Sequence, residues 1–256
     1  MMKTENEKED REQIQEQIVC RGFIYNLLAA ALQSPGEETL NELLQEKTRA
    51  SLSVLAAGLT EAGNTAAGGA VAAWAAEFNK LTPDGMRTGH ARLFGHTARG
   101  IVCPYETEYG HEGAFQQPRQ LGKIAGFYSA FGLTLRKDER ERADHISCEL
   151  EFMAFLSRKE AYALEHHDGE MLEATQKAVR LFLRDHLGRF GRAFGRLLRK
   201  EDAAGFFGKL GDVLYEFITI ECLRLHFDPG PALLPLRSAE EAAVPMACGS
   251  REDDSQ

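Results

Sequence analysis

The chain has 256 residues, 43% of them hydrophobic and 27% charged, a composition typical of globular proteins. Its formal net charge of -9 argues against binding to nucleic acid, because duplex phosphates must be neutralised by Lys and Arg. The five cysteines form no Cys-x-x-Cys pair, and the charged N-terminus lacks the apolar core of a secretory signal. No apolar run approaches the roughly 20 residues of a membrane span. We therefore expect a cytoplasmic protein with reduced thiols and no stable membrane insertion.

Helical periodicity dominates the chain from about residue 11 onward. Ser-Pro-Gly at 34–36 ends the first predicted helix, and Pro83 and Pro118 are placed to open later ones. The predicted helices cover about 11–33, 37–47, 49–60, 65–81, 83–94, 118–132, 145–167, 169–186, 189–200 and 203–227.

No strand-like alternation of any length interrupts this pattern, so we predict an all-α fold. The expected architecture is a single globular, bundle-like domain over 11–227 with roughly nine to eleven helices. A disordered N-terminus is expected at 1–10 and a flexible tail at 228–256. The irregular segment at 95–117 belongs to a loop and hinge region of about 95–143, and loops longer than about 12–15 residues are usually functional or disordered.

Motifs for metal or nucleotide chemistry are absent from the sequence. The only Glu-x-x-His pair, Glu108 and His111, lies in the irregular loop, and there is no His-Glu-x-x-His. There is also no P-loop, no Gly-x-Gly-x-x-Gly after a strand, and no Gly-x-Ser-x-Gly elbow. Cys103 is interpreted as a plain loop thiol. We expect no catalytic residue, no metal and no cofactor.

Two polar segments stand out, RLFGHTARGIVCPYETEYG at 92–110 and ADHISCELEFMAFL at 143–156. In the simpler interpretation, Asp144 is the N-cap of a long helix and His145 is an exposed residue of its first turn. In the second, both segments form one polar cleft, where carboxylates grip a basic segment and tyrosines supply rigid contact area. Spacing alone leaves both interpretations open. The cleft residues would be Tyr105, Glu106, Glu108, Tyr109, Asp144 and His145.

These two segments resemble the corresponding segments of the TorD/DmsD/NarJ group of cytoplasmic chaperones. The resemblance to that group extends over about residues 15–227. The resemblance implies an all-helical chaperone without enzymatic activity that matures a molybdenum-cofactor oxidoreductase. Its partner would be the apo catalytic subunit, whose twin-arginine signal peptide or N-terminal segment it binds and holds for cofactor insertion, assembly and export. The resemblance implies client binding by Tyr105, Glu106 and Tyr109 in the loop and by Asp144 and His145 at the helix head. A monomer or weak homodimer is expected.

A twin-arginine peptide carries a basic patch and an apolar run, so its receptor needs carboxylates beside an apolar groove. Phe115 is a further candidate for lining that groove. This placement predicts that alanine at Glu106, Asp144 or His145 weakens peptide binding while helical content is kept.

Two alternatives remain open from the residues alone. One is a helical metalloenzyme that uses Glu108, His111, His145 and nearby carboxylates. The other is a nucleic-acid-binding regulator that acts through the basic stretch 180–200, although a solvated arginine face explains that stretch equally well. The tail, with Cys248, matches no pattern.

Overall fold

The computed structural model describes residues 2–95, 100–110, 116–135 and 141–237, with side chains from Glu9 onward except Asp10. Over these residues the chain forms ten α-helices and one 3-10 helix, and β-pairing is limited to two isolated bridges. The predicted all-α fold is confirmed for this part of the chain. The helices are α1 (Met2–Leu32), α2 (Glu37–Leu43), α3 (Glu46–Glu61), α4 (Thr65–Glu77), α5 (Pro83–Phe94), η1 (Glu106–Glu108), α6 (Gln117–Ala130), α7 (Ile146–Glu165), α8 (Gly169–Asp185), α9 (Leu187–Glu201) and α10 (Phe206–Arg224).

The first helix begins at Met2, about nine residues before the start that apolar periodicity indicates. The added segment is rich in Glu and Lys, which have good helix propensity even without an apolar stripe. At residue 11 the helix reaches the end of α7, where the Arg11 guanidinium donates to the Leu164 carbonyl and lies 2.7 Å from Nδ1 of His167. The proposed division of the chain into domains stays a prediction.

The core is built from aromatic clusters at helix crossings. Trp74 of α4 packs edge-on against Phe78 at 5.1 Å between ring centroids, and Phe206 of α10 covers both rings. A second cluster joins α6, α7 and α8, with Phe152 and Phe182 at 4.8 Å. Such burial supplies most of the stabilising free energy of a helical domain. The second cluster supports the polar site described below.

Glycines allow α9 and α10 to approach each other closely. A Cβ on Gly211 would lie 2.4 Å from the Gly195 carbonyl oxygen, and a Cβ on Gly195 would lie 2.6 Å from that of Gly211. Real Cβ atoms do not tolerate such distances, so both positions require glycine. This close crossing fixes the face of α9 that carries the site. Within the described residues, no helix combines the length and apolar character that a bilayer crossing requires.

Candidate functional site

The polar cluster predicted at the head of α7 exists, but its helix cap is His145 rather than Asp144. Nδ1 of His145 accepts a hydrogen bond from the Ser147 backbone N–H at 3.2 Å. The ring is 4% exposed, and burial lowers the pKa of His145 to about 3. A neutral imidazole keeps one nitrogen free to accept, so the pKa shift preserves the cap. The prediction of an Asp144 cap and an exposed His145 is therefore corrected.

Asp144 is fully buried and faces the loop between α5 and α6 instead of its own helix. Its Oδ2 accepts from the backbone N–H of Thr107 at 3.1 Å and from the Thr107 hydroxyl at 2.7 Å. From the other side, Nε and Nη2 of Arg142 lie 3.0 and 2.9 Å from its two oxygens. The loop thus uses the carboxylate that a helix cap would need, and α7 begins one residue later than predicted.

Arg142 connects the acidic residues of the cluster, although the sequence analysis did not single it out. Its Nη1 lies 3.2 Å from Oε1 of Glu108, and its guanidinium carbon lies 4.5 Å from the Tyr105 ring centroid. One cation therefore serves two buried carboxylates, Glu108 and Asp144. A buried charge without a counterion is costly, so this arrangement ties η1 to the head of α7. The available signal was the charge-dense run ERERADH at 139–145, in which Arg142 stands two residues before Asp144.

Glu106 connects the cluster to the α8–α9 junction. Its Oε2 lies 3.0 Å from Nδ1 of His186, and its Oε1 lies 3.8 Å from Nη1 of Arg189. Glu149, on the first turn of α7, is fully buried beside it. Burial raises the pKa of Glu149 well above its usual value, and the nearby Glu106 and Asp144 carboxylates add to the rise. Burial and the neighbouring carboxylates thus favour the neutral form of the Glu149 side chain.

The two tyrosines of the loop take different positions. Tyr109 is 4% exposed, its hydroxyl donates to the Cys103 carbonyl at 2.7 Å, and its ring packs on Phe190. Tyr105 is only half-buried and donates to Glu141 at 3.3 Å. Burial raises the pKa of Tyr105 to about 12, so it stays a phenol. The structure thus brings all six predicted residues together, but Tyr109 is part of the core.

An open groove of about 450 Å³ adjoins this cluster, between α6 and the α8–α9 junction. Of the six predicted residues, Glu106 is the one that lines it. Phe127 forms part of its wall and packs edge-on against His186, with ring centroids 5.6 Å apart. The sequence analysis missed the groove because its two sides are about sixty residues apart in the chain. Its lining residues are Glu106, Gln120, Lys123, Gly126, Phe127, Ala130, Asp185, His186 and Arg189.

The metalloenzyme alternative requires a cluster of metal ligands. In the part of the chain that the structure describes, no three His, Cys, Asp or Glu side chains converge to hold a metal ion. Glu108 instead pairs with Arg142, and His145 caps α7. Burial raises the pKa of Cys103 to about 11, which disfavours a reactive thiolate. His111, Phe115 and Cys248 lie outside the described residues.

Several arginines of the basic stretch 180–200 are paired with other residues of this chain. Arg192 donates to the Gly230 carbonyl at 2.7 Å and lies over the Tyr215 ring at 4.5 Å. Arg199 pairs with Asp212, and Arg184 pairs with its neighbour Asp185. These contacts favour the interpretation of a helix whose arginines serve packing over that of a nucleic-acid surface.

Residues 228–237 form an extended segment against the site, which we call the C-terminal strap. The backbone N–H of Gly110 donates to the Pro235 carbonyl at 2.9 Å, and that of Arg237 donates to the Glu108 carbonyl at 2.8 Å. Leu234 packs against the hydrophobic core. The flexible tail predicted from residue 228 therefore does not describe these ten residues, because backbone pairing and apolar burial hold them on the loop. Residues 238–256 lie outside the described part.

Comparison with known proteins places this geometry in a family. Residues 31–195, more than half of the chain, match the family described as nitrate reductase delta subunit. The selenate reductase assembly chaperone protein of Thauera selenatis is 35% identical over 105 residues, which cover 41% of this chain and 52% of that protein. The chlorate reductase assembly chaperone protein of Ideonella dechloratans is 34% identical over 122 residues, which cover 48% of this chain and 58% of that protein.

A third relative is the chaperone protein TorD of Photobacterium profundum, 28% identical over 129 residues, which cover 50% of this chain and 58% of that protein. The matches span about half the length of these curated relatives. They confirm the resemblance to the TorD-like group that the loop and helix-head segments indicate. The chain belongs to the nitrate reductase delta subunit family.

Proposed function

We propose that this protein is an assembly chaperone for the catalytic subunit of a molybdenum-containing reductase, without enzymatic activity of its own. The observation that carries the proposal is the set of relatives. Proteins named as assembly chaperones of selenate, chlorate and perchlorate reductases are all similar to this chain. The substrate of the client reductase differs among these relatives, so the shared property is assembly of a reductase.

We further propose that the chaperone binds the twin-arginine signal peptide or N-terminal segment of its client in the groove between α6 and the α8–α9 junction. Such a peptide presents guanidinium groups followed by an apolar run. The groove supplies carboxylates in Glu106 and Asp185 and apolar surface in Phe127 and Ala130. Its volume of about 450 Å³ suits a few side chains rather than a whole domain.

In this proposal some of the six predicted residues contact the client peptide directly, and others hold the loop in the shape that binds it. Glu106 lines the groove and Tyr105 is half-exposed, so these two are the candidates for direct contact. Asp144 and His145 are buried, and they fix the loop that carries Glu106. Glu108 holds Arg142 in place. Their substitution would therefore weaken binding mainly through the shape of the loop.

The groove is tested by peptide binding to purified full-length protein. The probe is a fluorescein-labelled synthetic peptide that contains Ser-Arg-Arg followed by an apolar run, measured by fluorescence anisotropy. We expect Phe127→Ala and Glu106→Gln each to weaken binding at least about 10-fold, which corresponds to about 1.4 kcal/mol. The matched control is Tyr162→Ala, an aromatic residue on the surface of α7 that is 52% exposed.

The control should bind the probe like wild type. Equal affinity of both groove variants and wild type, with unchanged far-ultraviolet circular dichroism, would remove the groove from the proposal. A probe with Lys-Lys in place of Arg-Arg should bind more weakly, because lysine cannot form the paired bonds of a guanidinium with a carboxylate.

A further inference from the structure

We propose that the C-terminal strap occupies, within the same chain, a docking edge for an extended peptide segment of the client. The edge consists of loop residues 108–110 and the adjoining end of the groove. The client segment and the strap would then exclude each other, so the strap acts as an internal competitor. This inference rests on the proposed function for the identity of the client, but not for the existence of the docking edge.

The first support is the backbone pairing between strap and loop. The Arg237 N–H donates to the Glu108 carbonyl at 2.8 Å, and the Gly110 N–H donates to the Pro235 carbonyl at 2.9 Å. Tyr109 and Leu236 form an antiparallel bridge between these two bonds. Peptides commonly add to an exposed backbone edge in this way, because main-chain bonds require no particular sequence. The strap therefore shows that this loop accepts an extended partner.

The second support is the pair of side chains that anchor the strap. Leu234 packs on the core beside Tyr109 and Phe190 and leaves a void of about 10 Å³. Three residues later, Arg237 is 6% exposed, and its Nη2 donates to Oε1 of Gln120 at 3.0 Å. Leu233, by contrast, is 77% exposed. A partly buried leucine and a buried arginine flanking exposed positions are typical of a short recognition segment.

The third support is the overlap between the space under the strap and the groove. Glu106, Gln120 and Arg189 line both the void beneath Leu234 and the open groove. Removing the strap would extend the groove over Tyr109 and expose the Glu108 carbonyl and the Gly110 N–H. The enlarged site would take an apolar side chain and a guanidinium, which are the chemical groups of a twin-arginine peptide.

Gly230 fixes the start of the strap against the α8–α9 junction. The backbone N–H of Gly230 donates to the Gly188 carbonyl at 3.0 Å, and a Cβ there would lie 2.4 Å from that oxygen, so glycine is required. Beyond this point the strap is held by two backbone bonds and two anchors, the kind of small unit that opens without global unfolding. A site covered 99% of the time would bind its client about 100-fold more weakly than an open one.

The test compares three full-length proteins: wild type, the double variant Leu234→Ala with Arg237→Ala, and the control Leu233→Ala. Two labelled probes are titrated by anisotropy, a peptide with the sequence of residues 231–239 (PALLPLRSA) and the Ser-Arg-Arg peptide used above. We expect the double variant to bind both probes at least about 10-fold more tightly than wild type, because its internal competitor is weakened. The control should match wild type.

The outcomes separate this inference from the proposed function. If the double variant binds PALLPLRSA no more tightly than wild type, the docking edge is refuted. If that peptide binds as expected but the Ser-Arg-Arg peptide binds to none of the proteins, the edge stands and the proposed client is wrong. If the Ser-Arg-Arg peptide binds all three proteins alike, the proposed function stands and the competition is refuted.

A second measurement covers the case in which the double variant does not fold. Hydrogen exchange of wild type is followed with and without saturating Ser-Arg-Arg peptide. Displacement predicts at least about 10-fold faster exchange of the Arg237 amide, because its bond to the Glu108 carbonyl is lost on release. The Gly110 amide should stay protected, since the client backbone replaces the strap. Bound peptide with unchanged exchange at Arg237 would contradict the inference.

Discussion

Replacing Asp144 by alanine tests whether this side chain holds the loop in place or only caps a helix. The substitution removes a fully buried carboxylate that accepts two hydrogen bonds from Thr107 and two from Arg142. Thr107 is 1% exposed, so its backbone N–H is left without water or a protein partner. Leaving such a donor unsatisfied costs about 1–3 kcal/mol.

Arg142 contributes a smaller part of the loss. Its side chain is 32% exposed and keeps its contact with Glu108, so solvent screens the charge that Asp144 no longer neutralises. Adding this part to the unsatisfied donor, we expect Asp144→Ala to lower the free energy of unfolding by about 3 kcal/mol.

The assay is urea unfolding followed by circular dichroism at 222 nm, with Asp168→Ala as the matched control. Asp168 is a simple N-cap of α8 that accepts from the Met171 N–H at 2.9 Å, and its loss should cost about 1 kcal/mol. A loss for Asp144→Ala no larger than that of the control would refute this account, since it would mean that Asp144 contributes no more than a cap.

Two further predictions address the core. Glu149 has a raised pKa in the folded protein, so its contribution to stability is full below about pH 4.5 and is lost as pH rises towards the folded pKa, by up to about 1.4 kcal/mol per pH unit. Glu149→Gln should remove that slope, and urea midpoints between pH 5 and 8 that fall in parallel for variant and wild type would contradict this. Gly211→Ala should destabilise by about 3 kcal/mol, because its Cβ would lie 2.4 Å from the Gly195 carbonyl oxygen. Gly122→Ala, with open space around its Cβ, should instead gain about 0.5–1 kcal/mol in a thermal melt, and similar effects at the two glycines would argue against the close crossing.

The helices could be predicted from the sequence because each buries an apolar stripe at a spacing that is visible locally. Their ends were harder to place. The head of α7 shows why: Asp144 fits the local pattern of a cap, but a loop almost forty residues earlier in the chain takes its carboxylate. Local patterns report which residues are able to cap a helix, whereas tertiary contacts decide which one does.

The candidate site, too, could be predicted from the sequence only in part. The loop and helix-head residues were found because they form compact sequence segments, and the structure brings them together. His186, by contrast, reaches Glu106 across 80 residues. The only local signal was the break between two predicted helices near 186–189, which does not say what the junction faces. The strap was missed because its backbone pairing depends on the position of the loop and not on its own composition.

We propose above that this chain assembles a molybdenum-containing reductase. The most direct measurement is affinity purification of the tagged full-length protein from its native host grown under anaerobic respiration, followed by mass spectrometry. The account predicts strong enrichment of one molybdoenzyme catalytic subunit, and loss of that enrichment when the N-terminal segment of the subunit is deleted. Recovery of no such subunit under conditions where the reductase is expressed, or unchanged recovery after the deletion, would contradict it.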